Sequence, residues 1–116
     1  MPRRILVLDD DPAVRHVYRA LLEKAGYEIS EATDGDSAIA VARRERFDLL
    51  LTDILHPGPG PAPVAAAACA AGPVPMLVVS GQAKSELEQA GASIWLAKPA
   101  ENDRLLAAVR ELIGDV

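Results

Sequence analysis

Ile5-Leu6-Val7-Leu8-Asp9-Asp10-Asp11-Pro12, residues 5–12, is the stretch on which the fold turns. Its first four residues are continuously apolar and half of them are β-branched. That composition describes a short strand covered on both faces, as in a parallel sheet. The strand runs directly into three aspartates and a proline. Asp11 is suited to an N-cap and Pro12 to the first helical position, so a helix must start there. A buried strand that feeds a capped helix within a few residues is the opening of a β-α-β unit.

Working outward, the helix places Val14, Val17, Tyr18, Leu21 and Leu22 at apolar-face spacing and is expected to stop at Gly26. Tyr27 to Ala32 alternates weakly and reads as a strand. Asp34-Gly35-Asp36 is a turn and cap, opening a helix through Arg46 with Ala38, Ile39 and Ala42 inward. Phe47 to Thr52 reads as a strand that ends at Asp53. Residues 56–63 are crowded with proline and glycine and read as an irregular loop. A short alanine-rich helix is expected over 64–71, a strand over 76–79 before Ser80-Gly81, and a short helix over 84–90. A strand over 93–97 ends at Lys98-Pro99, and residues 101–113 form an amphipathic helix with Leu105, Leu106, Val109, Leu112 and Ile113 apolar. The alternation implies an α/β fold, a (βα)5 doubly wound five-stranded parallel sheet with helices on both faces.

Bulk properties restrict the function. At 116 residues, half of them hydrophobic, the chain supports one domain with a real core. A formal charge of −5 disfavours phosphate backbones and anionic membranes, so neither nucleic acid nor membrane is an expected partner. The single cysteine, Cys69, allows no internal disulfide and fits a cytoplasmic setting. The apolar run after Met1 is too short for a signal peptide or a membrane span.

Open α/β sheets bind ligands at the carboxyl ends of their strands, near the switch point. The residues expected at those ends are Asp9 and Asp10, Asp53, Ser80 and Lys98. Carboxylates gathered so closely repel one another unless a cation joins them. Hard oxygen ligands suit Mg²⁺, which keeps several waters and also binds phosphate. A serine hydroxyl and a lysine ammonium are suited to phosphoryl oxygens. The set points to phosphoryl transfer onto a carboxylate, with Asp53 as the in-line nucleophile.

These residues stand in sequences that resemble the receiver domains of response regulators, the phosphoacceptor proteins of bacterial two-component systems and phosphorelays. The matching segments are Ile5 to Asp11, Leu49 to Ile54 with Pro57 following, Val78-Val79-Ser80-Gly81 and Leu96-Ala97-Lys98-Pro99, in order along nearly the whole chain. The resemblance implies a flavodoxin-like sheet of order 2-1-3-4-5 and a single receiver domain over residues 1–116 with no effector domain. It makes Asp53 the phosphoacceptor, Asp10 a direct Mg²⁺ ligand, Asp9 a ligand acting largely through water, and the Leu55 backbone carbonyl the remaining protein ligand. Ser80 and Lys98 would contact the phosphoryl group, Trp95 would stand at the switch aromatic position, and Pro99 is a cis-proline candidate. The donor would be a sensor histidine kinase or a histidine phosphotransfer protein, and the output an interaction with a downstream protein that the sequence does not name. The domain would not be an enzyme beyond self-phosphorylation and self-dephosphorylation. Leu55 and Gln82, at positions that tune acyl-phosphate lifetime in the family, imply slow hydrolysis.

The chain departs from the family pattern in places. His56 replaces a usual methionine, Pro59-Gly60-Pro61 replaces the usual Met-Asp-Gly, and the stretch between Ser80 and Lys98 is short. Those departures motivate an alternative, a receiver-like interaction module that works without phosphate. A haloacid-dehalogenase-type phosphohydrolase is a second alternative, using Asp9 and Asp11 with Ser80 and Lys98. It leaves Asp53 without a role and lacks the further acidic pair such enzymes need after the lysine. His16 is expected on a solvated helix side, Cys69 in the core, and Arg43, Arg44 and Arg46 at a solvated helix end.

Overall fold

The computed structural model describes residues 3–53, 64, 66, 67, 69, 72, 74–81, 93–98 and 100–114; for Trp95 it describes the backbone alone. Strand β1 (Arg4–Leu8) leads to α1 (Pro12–Lys24), β2 (Glu28–Ala32), α2 (Gly35–Arg44) and β3 (Leu49–Thr52). Then come β4 (Met76–Ser80), β5 (Ile94–Ala97) and α3 (Asn102–Ile113). The strands form one five-stranded sheet in the order β2-β1-β3-β4-β5. All pairings are parallel, and Leu8 lies opposite both Ala32 and Thr52. The expected doubly wound sheet and its order are therefore present.

The alternation of side chains along each strand divides the core in two. Ile5 and Val7 of β1 point to the face shared with Leu49, Leu51, Leu77 and Val79, under α1 and α3. Leu6 and Leu8 point to the opposite face with Leu50, Met76 and Val78, under α2 and Val64. This two-sided burial explains why β1 reads as an uninterrupted apolar run. Each such leucine removed from water stabilises the fold by about 1.5–3 kcal/mol.

Local chemistry sets the element ends. Asp11 adopts extended backbone and its carboxylate accepts from the Ala13 N–H, with Pro12 next. Gly26, at φ 100°, takes the left-handed conformation that ends α1. Asp34 and Ser37 cap each other reciprocally at the start of α2. That helix stops at Arg44, short of the expected Arg46. The reason is Glu45, which turns extended and accepts hydrogen bonds from Arg4 Nη1 and Ser30 Oγ. Val17 also differs from expectation. It is 49% exposed, while Tyr18 and Leu22 take the buried stripe of α1. His16, Arg43, Arg44 and Arg46 are exposed as expected. Cys69 is only half-buried, and its Sγ accepts from the Val74 N–H.

Several sequence readings fall outside the described residues: the loop at 56–63, the helix at 84–90 and most of the segment 65–71. No helix among the described residues is long and apolar enough to cross a membrane.

Candidate functional site

The order β2-β1-β3 means that the chain leaves β1 toward one side of the sheet and returns to β3 on the other. Connections diverge at that switch point and open a crevice at the carboxyl ends of β1 and β3. Asp9 and Asp53 are the first residues beyond those two strands. Their backbones are still tied to the sheet. The Asp9 N–H donates to the Ala32 carbonyl and the Asp53 N–H donates to the Leu8 carbonyl, each at 3.3 Å.

Lys98 enters from the first position after β5. Its backbone N–H donates to the Ser80 carbonyl at 3.0 Å, which hangs the lysine on the end of β4. Its Nζ donates to Asp53 Oδ2 at 2.8 Å and to Asp9 Oδ2 at 2.9 Å. One ammonium thus bridges two carboxylates. The Asp9 side chain is 2% exposed, that of Asp53 12% and that of Lys98 27%. Burial alone would lower the Lys98 pKa. The hydrogen bonds and charges of Asp53 and Asp9 outweigh it and hold the ammonium above the ordinary lysine range.

Asp9 is held from its other side as well. Its Oδ1 accepts from the Asp11 N–H at 2.9 Å. Its backbone carbonyl accepts from Arg15 Nη1 at 2.7 Å. Arg15 was not singled out in the sequence. The signal was its place four residues after the Asp11 cap, on the helix side that returns to β1.

Of the residues expected at the site, Asp9, Asp53 and Lys98 meet directly. Ser80 is buried at the end of β4, beside Ala97 in register. Asp10 is exposed, one position along from Asp9. Trp95 lies opposite Val78 in β5, and its side chain is outside the described residues. Leu55, Gln82 and Pro99 are outside them too. The mutual repulsion expected between Asp9 and Asp53 is offset by Lys98.

Tyr18 also borders the crevice. It lines a groove of about 510 Å³ with Ala13, Val14, Val17, Lys98 and Ala100. Burial pushes its phenol pKa up, Lys98 opposes this, and Asp9 and Asp53 add to it.

Among the described residues, no group of three or more His, Cys, Asp or Glu side chains is arranged to hold a metal ion. The donor chemistry nevertheless fits a hard cation. Asp9 and Asp53 aim oxygens at one positive centre, now the Lys98 ammonium, and Asp10 is adjacent.

A five-stranded parallel sheet of this order, with acids and a lysine at its switch point, defines a flavodoxin-like α/β domain of the CheY type. Residues 5–110 match the response regulator receiver domain. The chain is 35% identical over 120 residues to the DNA-binding dual master transcriptional regulator RpaA of Synechocystis, covering 97% of this chain and 49% of RpaA. It is 30% identical over 118 residues to protein PilH of Pseudomonas aeruginosa, covering 96% of this chain and 98% of PilH. Among solved structures, it resembles the receiver domain of the sensor histidine kinase PA1611 from Pseudomonas aeruginosa, which has a magnesium ion coordinated in its active site cleft. The TM-score is 0.84 at 28% identity, covering 99% of this chain and 100% of that one. The chain belongs to the response regulator receiver domain family. It spans about half the length of relatives such as RpaA and nearly all of PilH.

Proposed function

We propose that this domain accepts a phosphoryl group on Asp53 from a phosphohistidine donor, with Mg²⁺ bound, and so switches a protein-interaction surface. The observation that supports this best is the Lys98 ammonium bridging Asp9 and Asp53 at the switch point of the sheet. It marks the spot where negative charge is gathered and where a phosphoryl group finds positive charge.

Asp10, Asp53 and the Leu55 backbone carbonyl would hold the cation, with Asp9 acting largely through water. Bound there, Mg²⁺ supplies neutralisation of charge on the equatorial phosphoryl oxygens. A carboxylate oxygen of Asp53 attacks phosphorus in line. The P–N bond to the donor histidine breaks, and its electron pair returns to the imidazole. Lys98 follows the growing charge from the carboxylate to the phosphoryl oxygens, and the Ser80 hydroxyl donates to the same group. Trp95, three residues before Lys98 on β5, is the aromatic that reports or relays the change. The donor is a sensor histidine kinase or a histidine phosphotransfer protein, and the setting is cytoplasmic.

The test is incubation with Mg²⁺ and acetyl phosphate, read by intact mass. The wild type is expected to gain one phosphoryl group and Asp53→Asn none. Beryllofluoride is expected to change Trp95 fluorescence in the wild type alone. A wild type that gains no mass, and whose fluorescence beryllofluoride leaves untouched, would instead favour an interaction module that works without phosphate.

A further inference from the structure

We infer that Arg15 is a positioning residue for Asp9, working as one arm of a bridge from Glu31 through Arg15 to the Asp9 backbone. The inference deepens the proposed function and rests on that reading for its metal-binding consequence.

Arg15 is mostly buried, its side chain 14% exposed. Its guanidinium makes two bonds in different directions. Nη1 donates to the Asp9 carbonyl at 2.7 Å, and Nε donates to Glu31 Oε1 at 3.2 Å. Glu31 lies on β2, opposite Val7 of β1. It is held on its other oxygen by Arg19 Nη1 at 2.7 Å. Arg15 is thereby fixed from the sheet and in turn fixes the peptide that follows Asp9. A planar, multidentate guanidinium is suited to such a double role, and a lysine is not.

The consequence falls on the Asp9 side chain. The carboxylate has one oxygen on the Asp11 N–H and the other on Lys98. Its aim depends on the backbone between Asp9 and Asp11, whose first carbonyl Arg15 holds. Residues that orient a ligand without touching the metal commonly alter its affinity by about 10–100-fold. Arg19 supplies the internal control. It shares α1 and Glu31 with Arg15, yet it reaches Glu31 and Glu23 rather than the Asp9 backbone.

The experiment compares the wild type with Arg15→Met, Glu31→Gln and Arg19→Met. The first readout is the Asp9 side-chain carboxyl ¹³C resonance in metal-free protein. The second is Mg²⁺ affinity from Trp95 fluorescence. Arg15→Met is expected to shift the resonance and weaken Mg²⁺ about tenfold. Glu31→Gln should do so to a lesser extent, and Arg19→Met should leave both near wild type. A wild-type resonance in Arg15→Met, or equal shifts in Arg15→Met and Arg19→Met, would overturn the positioning role. Absence of Mg²⁺ binding in the wild type defeats the proposed function separately, and the metal-free resonance still decides the role of Arg15.

Discussion

Lys98 and Asp9, separated by 89 positions in the chain, are joined by a 2.9 Å ion pair in which the carboxylate is buried and the ammonium partly so. Removing the ammonium takes away the cation that Asp9 and Asp53 share. For Lys98→Met in metal-free protein, a stability loss of about 2 kcal/mol is expected, between the surface and buried limits for ion pairs. Urea unfolding at neutral pH measures it. Because the folded pKa of Lys98 is raised, its contribution is fully present below the ordinary lysine value of 10.5 and is lost only as pH rises through the folded value. The deficit of the variant should therefore be undiminished from neutral pH up to mildly alkaline pH. A deficit that fades below pH 9 would contradict the raised pKa.

The same variant tests the cation site. In the wild type, Lys98 already neutralises part of the charge that Mg²⁺ would meet. In Lys98→Met a divalent cation relieves the repulsion that the ammonium no longer offsets. Millimolar Mg²⁺ is expected to raise the melting temperature of Lys98→Met more than that of the wild type. At ten times the dissociation constant the stabilisation amounts to about 1.4 kcal/mol. Equal or absent shifts in the two proteins would count against a metal between Asp9 and Asp53.

Glu31 gives a prediction at the acid end. The hydrogen bond from Arg19 holds its carboxyl below the ordinary value of 4.5, against burial and with help from Arg15. A depressed folded pKa means stability that is present above the unfolded value and lost as pH falls through the folded one. Between pH 5 and pH 3 the wild type should lose more stability than Glu31→Gln. Partial exposure limits the difference to roughly 0.5–1 kcal/mol. Parallel pH profiles for the two proteins would remove Glu31 from the acid response.

Much of this was legible in the sequence, and the exceptions have physical causes. The strands were clear because a sheet covered on both faces needs continuous apolar runs, as in Ile5 to Leu8 and Met76 to Val79. Asp9, Asp53 and Lys98 were found because strand ends are fixed once the strands are. Their common bond was not foreseen, since the sequence reading supplied a metal where the structure supplies an ammonium. Arg15 escaped notice because an arginine on a helix usually faces solvent, and only the packing of α1 against β1 and β2 turns it toward Asp9 and Glu31. The end of α2 and the start of β3 were misread by two residues each. There Arg4 draws Glu45 and Asp48 into hydrogen bonds that no local pattern encodes.

Val17 shows where helical periodicity alone misleads. It falls at apolar spacing with Val14, Tyr18 and Leu21, yet it is exposed at the rim of the groove while Leu22 is fully buried. Val17→Ser is therefore expected to change stability by less than about 0.5 kcal/mol. Leu22→Ala should cost about 2–5 kcal/mol through lost contacts and a cavity under α1. Comparable losses in the two variants, measured by urea unfolding, would mean that Val17 is buried in solution.

The far end of the sheet from the site is tied to the end of α3. The Tyr27 hydroxyl, just before β2, donates to the Gly114 carbonyl just after α3 at 2.7 Å. The Tyr27 ring is buried, so replacing it by phenylalanine keeps the packing and removes the bond to Gly114. Tyr27→Phe should cost about 1 kcal/mol, the usual net value of one such bond. Backbone hydrogen exchange in the last turn of α3 should quicken in the variant, while Asp53 still accepts phosphoryl from acetyl phosphate at the wild-type rate. A slowed phosphorylation in Tyr27→Phe would show that the end of α3 is coupled to the crevice at the opposite edge of the sheet.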